Sequence, residues 1–255
     1  MNKFQQALAP THTELAGLGL HTDTRAVLIV ARSLSGGVAN SSAIQGVQEG
    51  AEFYKFIDSP QRLTITSDSA SDSAGGAGST KILIQGLDAN YKQIQEFVIP
   101  NGLNPVLTTQ TFLRVQTATT IDAGAAAVNI GNISLTSEIT TDRMGYISAG
   151  LGRSVVGNYT VPANKRLLIR TIFASTSRND ETEVYYTQRN FGNTAFLSTP
   201  AGIIYNSFGQ INDIDLALPA KADFTLTMSP LVNAPKIVIS IIANLYDFNE
   251  NPTNN

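Results

Sequence analysis

The chain has 255 residues and a mass of 27.2 kDa, room for one large or two small domains. It contains no Cys, no Trp and only two His. That excludes disulfide frameworks, thiolate metal sites and Cys nucleophiles, and it leaves little for a histidine metal cluster or a Ser-His-Asp triad. Charged residues are 15%, against about 25% in an average domain, and 17 Lys+Arg against 20 Asp+Glu give a net charge of −3, so there is no basic nucleic-acid footprint.

The chain is 42% hydrophobic, enough for a real core. Ser, Thr, Asn, Gln, Gly and Ala stand where charge is missing, a mixture suited to short strands and tight turns. The longest apolar runs, AVLIVA (26–31) and IVISIIANL (237–245), fit buried strands and are too short to span a bilayer. The N-terminus lacks the apolar core of a signal peptide, so synthesis in the cytosol and no membrane partner are expected.

In chain order, residues 1–23 read as an extended arm, interrupted at Pro10. TRAVLIVAR (24–32) is a strand, followed by a Gly/Ser/Asn loop. EFYKFI (52–57) and QRLTITS (61–67) are short strands, the second alternating with Leu63 and Ile65 on one face. SDSASDSAGGAGSTK (67–81) has no large apolar residue and reads as a long exposed loop. KILIQ (81–85), the turn at 86–90 and KQIQEFVI (92–99) make a hairpin. Strands follow at 109–117 and, after the small-residue loop at 122–127, at 128–135, where Gly131 suggests a bulge. Residues 136–152 are weakly patterned and carry a boundary near 147.

The second half restarts at NYTVP (158–162). Strands are expected at 166–175, 182–189, 211–218, 223–229 and 236–245, with Val184 and Tyr186 opposite Tyr185 and Thr187. Ile214, Leu216 and Leu218 share one face of 211–218, and Phe224, Leu226 and Met228 share one face of 223–229. The fold class is all-β, a β-sandwich or jelly roll. The expected division is an arm (1–23), a sandwich domain (24–146), a second sandwich domain (147–248) and a flexible tail (249–255).

Candidate chemistry is thin. AGGAGSTK (74–81) superficially suggests a phosphate loop, but Ser and Thr precede Lys81 and a strand follows, so a strand connector is expected. His12 and His21, with Glu14 and Asp23, lack the converging ligands of a metal site. Asp68 with Asp72, and Asp213 with Asp215, could offer oxygens to calcium, without EF-hand spacing. A glycan platform would rest on Tyr185, Tyr186, Tyr205 or Phe191. Arg166, Arg170, Arg178 and Arg189 concentrate positive charge, and pairing with carboxylates of a neighbouring subunit is expected. No catalytic, cofactor-binding or metal residue is assigned, and no cofactor is expected.

The segment from the Ser/Gly/Ala-rich loop through GLDANY to TTQTFLRVQ resembles virion structural proteins of tailed bacteriophages, especially marine and cyanobacterial ones. Gly86, Leu87, Asp88, Asn90, Tyr91, Asn101, Gly102 and Arg114 carry the likeness. YTVPANKRLLI, TEVYYTQR and INDIDLAL extend it over most of the chain. The resemblance implies turns and strand registers rather than catalysis. It also implies a non-enzymatic virion component, with a capsid decoration or cement protein favoured. That protein would be a homo-oligomer, with a trimer favoured, bound to a major capsid protein. A neck or tail protein, a receptor- or glycan-binding virion protein and a small double jelly-roll major capsid protein are the alternatives. Direct nucleic-acid contact is not expected.

Overall fold

Alternating apolar residues with a period of two build a molecule of antiparallel strands. The computed structural model describes residues 24–33, 44–45, 54–155, 157–176, 182–204, 208–230 and 237–247, and among them there is no helix. The strands are β1 (Thr24–Ser33), β2 (Ile44–Gln45), β3 (Leu63–Ser67), β4 (Ser79–Leu87), β5 (Gln93–Val98), β6 (Val106–Leu107), β7 (Arg114–Ala123) and β8 (Ile133–Ser137). They continue as β9 (Arg143–Ile147), β10 (Asn158–Thr160), β11 (Lys165–Thr176), β12 (Thr182–Arg189), β13 (Leu197–Ile204), β14 (Phe208–Leu218), β15 (Asp223–Pro230) and β16 (Ile237–Asp247).

Among the described residues, four sheets form two sandwiches. One has the orders β1-β16-β11-β14 and β10-β15-β12-β13, with β2 also on β15. Its core joins Leu167, Ile169, Ile172, Ile241 and Ala243 of the first sheet to Val184, Phe224 and Leu226 of the second. The other has the orders β6-β3-β8-β9 and β5-β4-β7, closed over Leu63, Ile65, Ile82, Ile84, Val115, Ile133 and Leu135.

The key to the architecture lies on one edge of β15. Met228 and Thr227 pair with Ile44 and Gln45, Leu226 N–H donates to Gly157 O (3.2 Å), and Thr225, Phe224 and Asp223 pair with Asn158, Tyr159 and Thr160. β2 and β10 are thus two pieces of one strand, and the chain between them is spliced into it. Counting that interrupted strand once, the sheets read first-eighth-third-sixth and second-seventh-fourth-fifth, the jelly-roll order. The spliced-in sandwich does not repeat that order, so the two sandwiches are not copies of one another.

Several expectations need correction. The strand at 24–32, grouped in sequence with 24–146, is laddered along its length to β16, from Thr24↔Tyr246 to Ser33↔Ile237. Two apolar runs close the jelly roll by pairing first strand with last. Residues 54–57 are not a strand. Tyr54 and Ile57 are buried as anchors, and Lys55 N–H donates to Arg143 O. The strand expected at 109–117 starts at Arg114 and runs on to Ala123, and the one expected at 128–135 starts at Ile133. Residues 128–132 alternate in sequence but serve as a packed turn: Asn129 Nδ2 donates to Gly131 O and Ser148 O. Gly131 is not a bulge. A Cβ there would lie 2.4 Å from Asp68 Oδ1 and 2.6 Å from Ser67 Oγ. The strands β2, β6, β9, β10 and β13 were not expected. The hairpin of β4 and β5 forms as expected, but its turn is shifted from 86–90 to 88–92, with Gly86 paired to Ile94 and Leu87 to Gln93.

Candidate functional site

The loop at 67–78 is ordered around a buried carboxylate. Asp72, 0% exposed, accepts Ser79 N–H (2.7 Å) and Ile130 N–H (2.9 Å) on Oδ1, and Ser67 Oγ–H (2.6 Å) and Gly131 N–H (2.8 Å) on Oδ2. Four donors use the carboxylate's acceptor capacity, which leaves no lone pair for calcium. Asp68 is likewise held by the backbone and side-chain N–H groups of Asn132. The loop therefore needs no large apolar anchor, and the expectation of a loose exposed connector is replaced by a polar knot.

The same knot disposes of the phosphate-loop resemblance at 74–81. The N–H groups of Gly76, Gly78 and Ser79 already donate to Ser73 O, Ser71 O and Asp72 Oδ1. A Cβ at Gly76 would sit 2.2 Å from Ser71 O, so glycine permits close packing there rather than an anion cradle.

Of the other candidates, His12, Glu14, His21, Asp23, Arg178 and Tyr205 lie outside the described residues. Asp213 and Asp215 fall in β14. Among the described residues there is no group of three or more His, Asp or Glu that could hold a metal ion. Tyr186 packs on the jelly-roll core, while the Tyr185 hydroxyl donates to Glu183 (2.6 Å). Neighbours along a strand face opposite sides, so the two tyrosines do not share a platform. Phe191 meets Tyr91 edge-on at 5.5 Å, under Lys221. Arg166 and Arg170 lie in β11, where Arg170 occupies a register shift.

Arg189 corrects the expectation of pairing with a neighbouring subunit, because its partner is Asp223 of its own chain. This leads to the strongest polar constellation among the described residues, which sequence reasoning did not find. Asp223 begins β15, and Arg114, at the start of β7, comes to it from the inserted sandwich. Arg114 donates from Nε to Oδ1 (2.8 Å) and from Nη2 to Oδ2 (3.0 Å), a bidentate pair with side chains 3% and 4% exposed. Its Nη1 donates to Ile57 O (2.5 Å) and Leu113 O (2.8 Å). Arg189 adds Nε (3.1 Å) and Nη2 (2.6 Å) on Oδ2, and the Thr160 hydroxyl adds a bond to Oδ1 (2.6 Å). Phe56 lies beneath both guanidiniums, and Phe196 lies against Arg189 at 4.6 Å.

The electrostatics follow from this geometry. Burial alone would raise the Asp223 carboxyl, but the hydrogen bonds and charge of Arg114, with Thr160 and Arg189, outweigh it and hold the group below its ordinary value. Burial pushes the Tyr54 phenol, whose oxygen accepts Val115 N–H, up to about 12. Around neutrality the Asp223 carboxylate is ionised, the Arg114 guanidinium is charged and the Tyr54 phenol is neutral. None of the three exchanges a proton there, and Asp223 has its acceptor positions filled. The constellation is a bolt between the two sandwiches. Gln116 Nε2 to Thr160 O (2.6 Å) and Ala163 N–H to Tyr91 O (2.9 Å) reinforce it.

No family model matches the sequence, and no curated protein matches it. Among solved structures, the chain is similar to that of the infectious bursal disease virus Gx strain at 8% identity and a TM-score of 0.26, covering 90% of this chain and 73% of that one. It is similar to the VP2 subviral particle of that virus at 10% identity and 0.23, covering 74% and 60%. The T=1 particles derived from the virus give 11% identity and 0.19, covering 90% and 78%. At such scores these likenesses carry no functional argument.

Proposed function

We propose that the chain is a non-enzymatic structural protein of a virus particle, and within that class a decoration or cement protein of a bacteriophage capsid. The jelly roll and the spliced-in sandwich act as two domains. The first seats on the shell, whose major capsid protein is the partner, and the second is carried outward. Homo-oligomers, trimers on the sequence reading, and location in the virion belong to the same proposal.

The observation that carries the reading is the splice combined with the bolt. A second β domain interrupts one strand of a jelly roll, a fold used by capsid and lectin domains. It is then fixed by the bidentate Arg114–Asp223 pair rather than left on a hinge. Rigid presentation of a surface is useful to an assembly component. The polar groups that might do chemistry, Asp72, Asp223 and Arg114, are consumed in holding the structure. The alternative of a glycan-binding virion protein is weakened by the separation of Tyr185 from Tyr186.

The mechanism is mass action. A protein that binds the assembled shell and not its loosened form shifts the equilibrium toward the shell. The test is to add purified chain to particles lacking it and follow heat-induced genome release. A rise in release temperature that saturates with added chain supports the proposal. Unchanged release with no chain cosedimenting contradicts it.

A further inference from the structure

The outer face of β5-β4-β7 exposes large apolar side chains side by side. In β4, Ile82 and Ile84 are buried, so Lys81, Leu83 and Gln85 lie on the outer face. Phe97 pairs with Leu83, and Phe97 and Ile99, flanking buried Val98, are 52% and 56% exposed. On the other side of β4, Lys81 pairs with Asp122 and Ile82 with Thr120. The register shift between them makes Ile121, 45% exposed, the extra residue. Phe97, Ile99, Leu83 and Ile121 thus surround Lys81 and its cross-strand neighbour Asp122. They present on the order of 300 Å² of apolar surface, comparable to the largest patch on a typical monomer, which is often functional.

Two charges sit within this apolar face. The Lys81 ammonium lies 4.8 Å from the Phe97 ring centroid, and among the described residues neither Lys81 nor Asp122 is in an ion pair. A lipid surface or an anionic ligand would gain from Lys81 and be repelled by Asp122. A second copy of the chain, turned by a two-fold axis, supplies both complements, since each Lys81 then meets the Asp122 of the other copy over matched apolar surroundings. We infer that this face is a self-complementary contact at which two copies of the chain dock about a two-fold axis through reciprocal Lys81–Asp122 pairs. The contact operates within or between larger oligomers, and it does not depend on the virion reading.

The test is sedimentation of the full chain over a range of concentrations, with Lys81→Asp and Asp122→Lys made separately and then mixed. Each substitution alone places like charges opposite one another. Each variant should sediment at half the mass of the parent species, with self-association weakened at least about a hundredfold. An equimolar mixture again sets opposite charges face to face and should recover the parent mass. Ile99→Asn, which leaves the charges alone and removes apolar contact, should also halve the mass. Far-ultraviolet circular dichroism matching the parent establishes that each variant is folded. A parent no heavier than the variants, or a mixture that stays at half mass, overturns the inference.

Discussion

Replacing Asp223 by Asn keeps the size of the side chain and removes the negative charge that Arg114 and Arg189 share. Two guanidiniums then face a neutral amide in a site where the Arg114 side chain is 3% exposed. Breaking a buried pair in this way costs about 3–5 kcal/mol, because an uncompensated charge remains. Whole-protein stabilities lie at about 5–15 kcal/mol, so the loss is a large fraction of the total. At about 2–4 °C per kcal/mol for a chain of this size, the melting temperature should fall by about 6–20 °C. The bolt joins the two sandwiches, so calorimetry should also show one transition splitting into two. The pH dependence has a definite sign. The folded carboxyl is held below its ordinary value. Its contribution is therefore full above the unfolded value of about 3.9 and is lost as pH falls through the lower folded value. The gap between parent and variant should stay constant from pH 5 to 8 and close only in strong acid. A fall of less than about 2 °C, or a gap that closes near pH 6, would refute the reasoning.

Other substitutions test other parts of the account. Leu226→Asp, at a fully buried position of β15, should cost more than about 4 kcal/mol and abolish the cooperative melt of the jelly roll. Unchanged melting would mean that the facing of β15 is wrong. Gly78→Ala places a Cβ 2.1 Å from Asp72 Oδ1. Asp72 cannot retreat without losing its donors, so denaturant titration should show a loss of at least about 1–3 kcal/mol. Joining Gln45 directly to Gly157 restores an unbroken strand along β15, since both pieces already pair with its one edge. The shortened chain should be soluble and all-β by circular dichroism, and an unfolded product would contradict the splice. Spectrophotometric titration should show one tyrosine ionising near 12, with stability falling as pH rises from about 10 toward that value. That is the sign for a group whose folded pKa is raised.

The local grammar of the chain was readable because period two is a short-range signal. Leu63 and Ile65 in β3, Leu216 and Leu218 in β14, and Phe224 and Leu226 in β15 lie where alternation placed them, and the β4–β5 hairpin follows from its turn residues. Pairing partners were not readable. The apolar run at 26–31 reads as a strand without saying that its partner is β16, and the two residues of β2 carry no pattern at all. Alternation misled at 128–132, where Asn129 and Gly131 serve the Asp72 knot. Pro200 lies within β13, paired to Tyr185. It is tolerated there because β13 is an edge strand. The bolt was invisible for a simpler reason: Arg114 and Asp223 are 109 residues apart, and alone Arg114 reads as a charged residue within the strand at 109–117 and Asp223 as one at the head of the strand at 223–229. One signal was available, since a charged residue at the head of an apolar strand calls for a partner.

The central claim is that the chain serves a particle as a repeated structural part. Densitometry of purified virions, with the major capsid protein as internal standard, tests it most directly. The account predicts hundreds of copies per particle, in a fixed ratio to the shell subunit. A chain absent from purified virions would contradict it, and roughly a dozen copies or fewer would move the protein from the shell to the neck or tail.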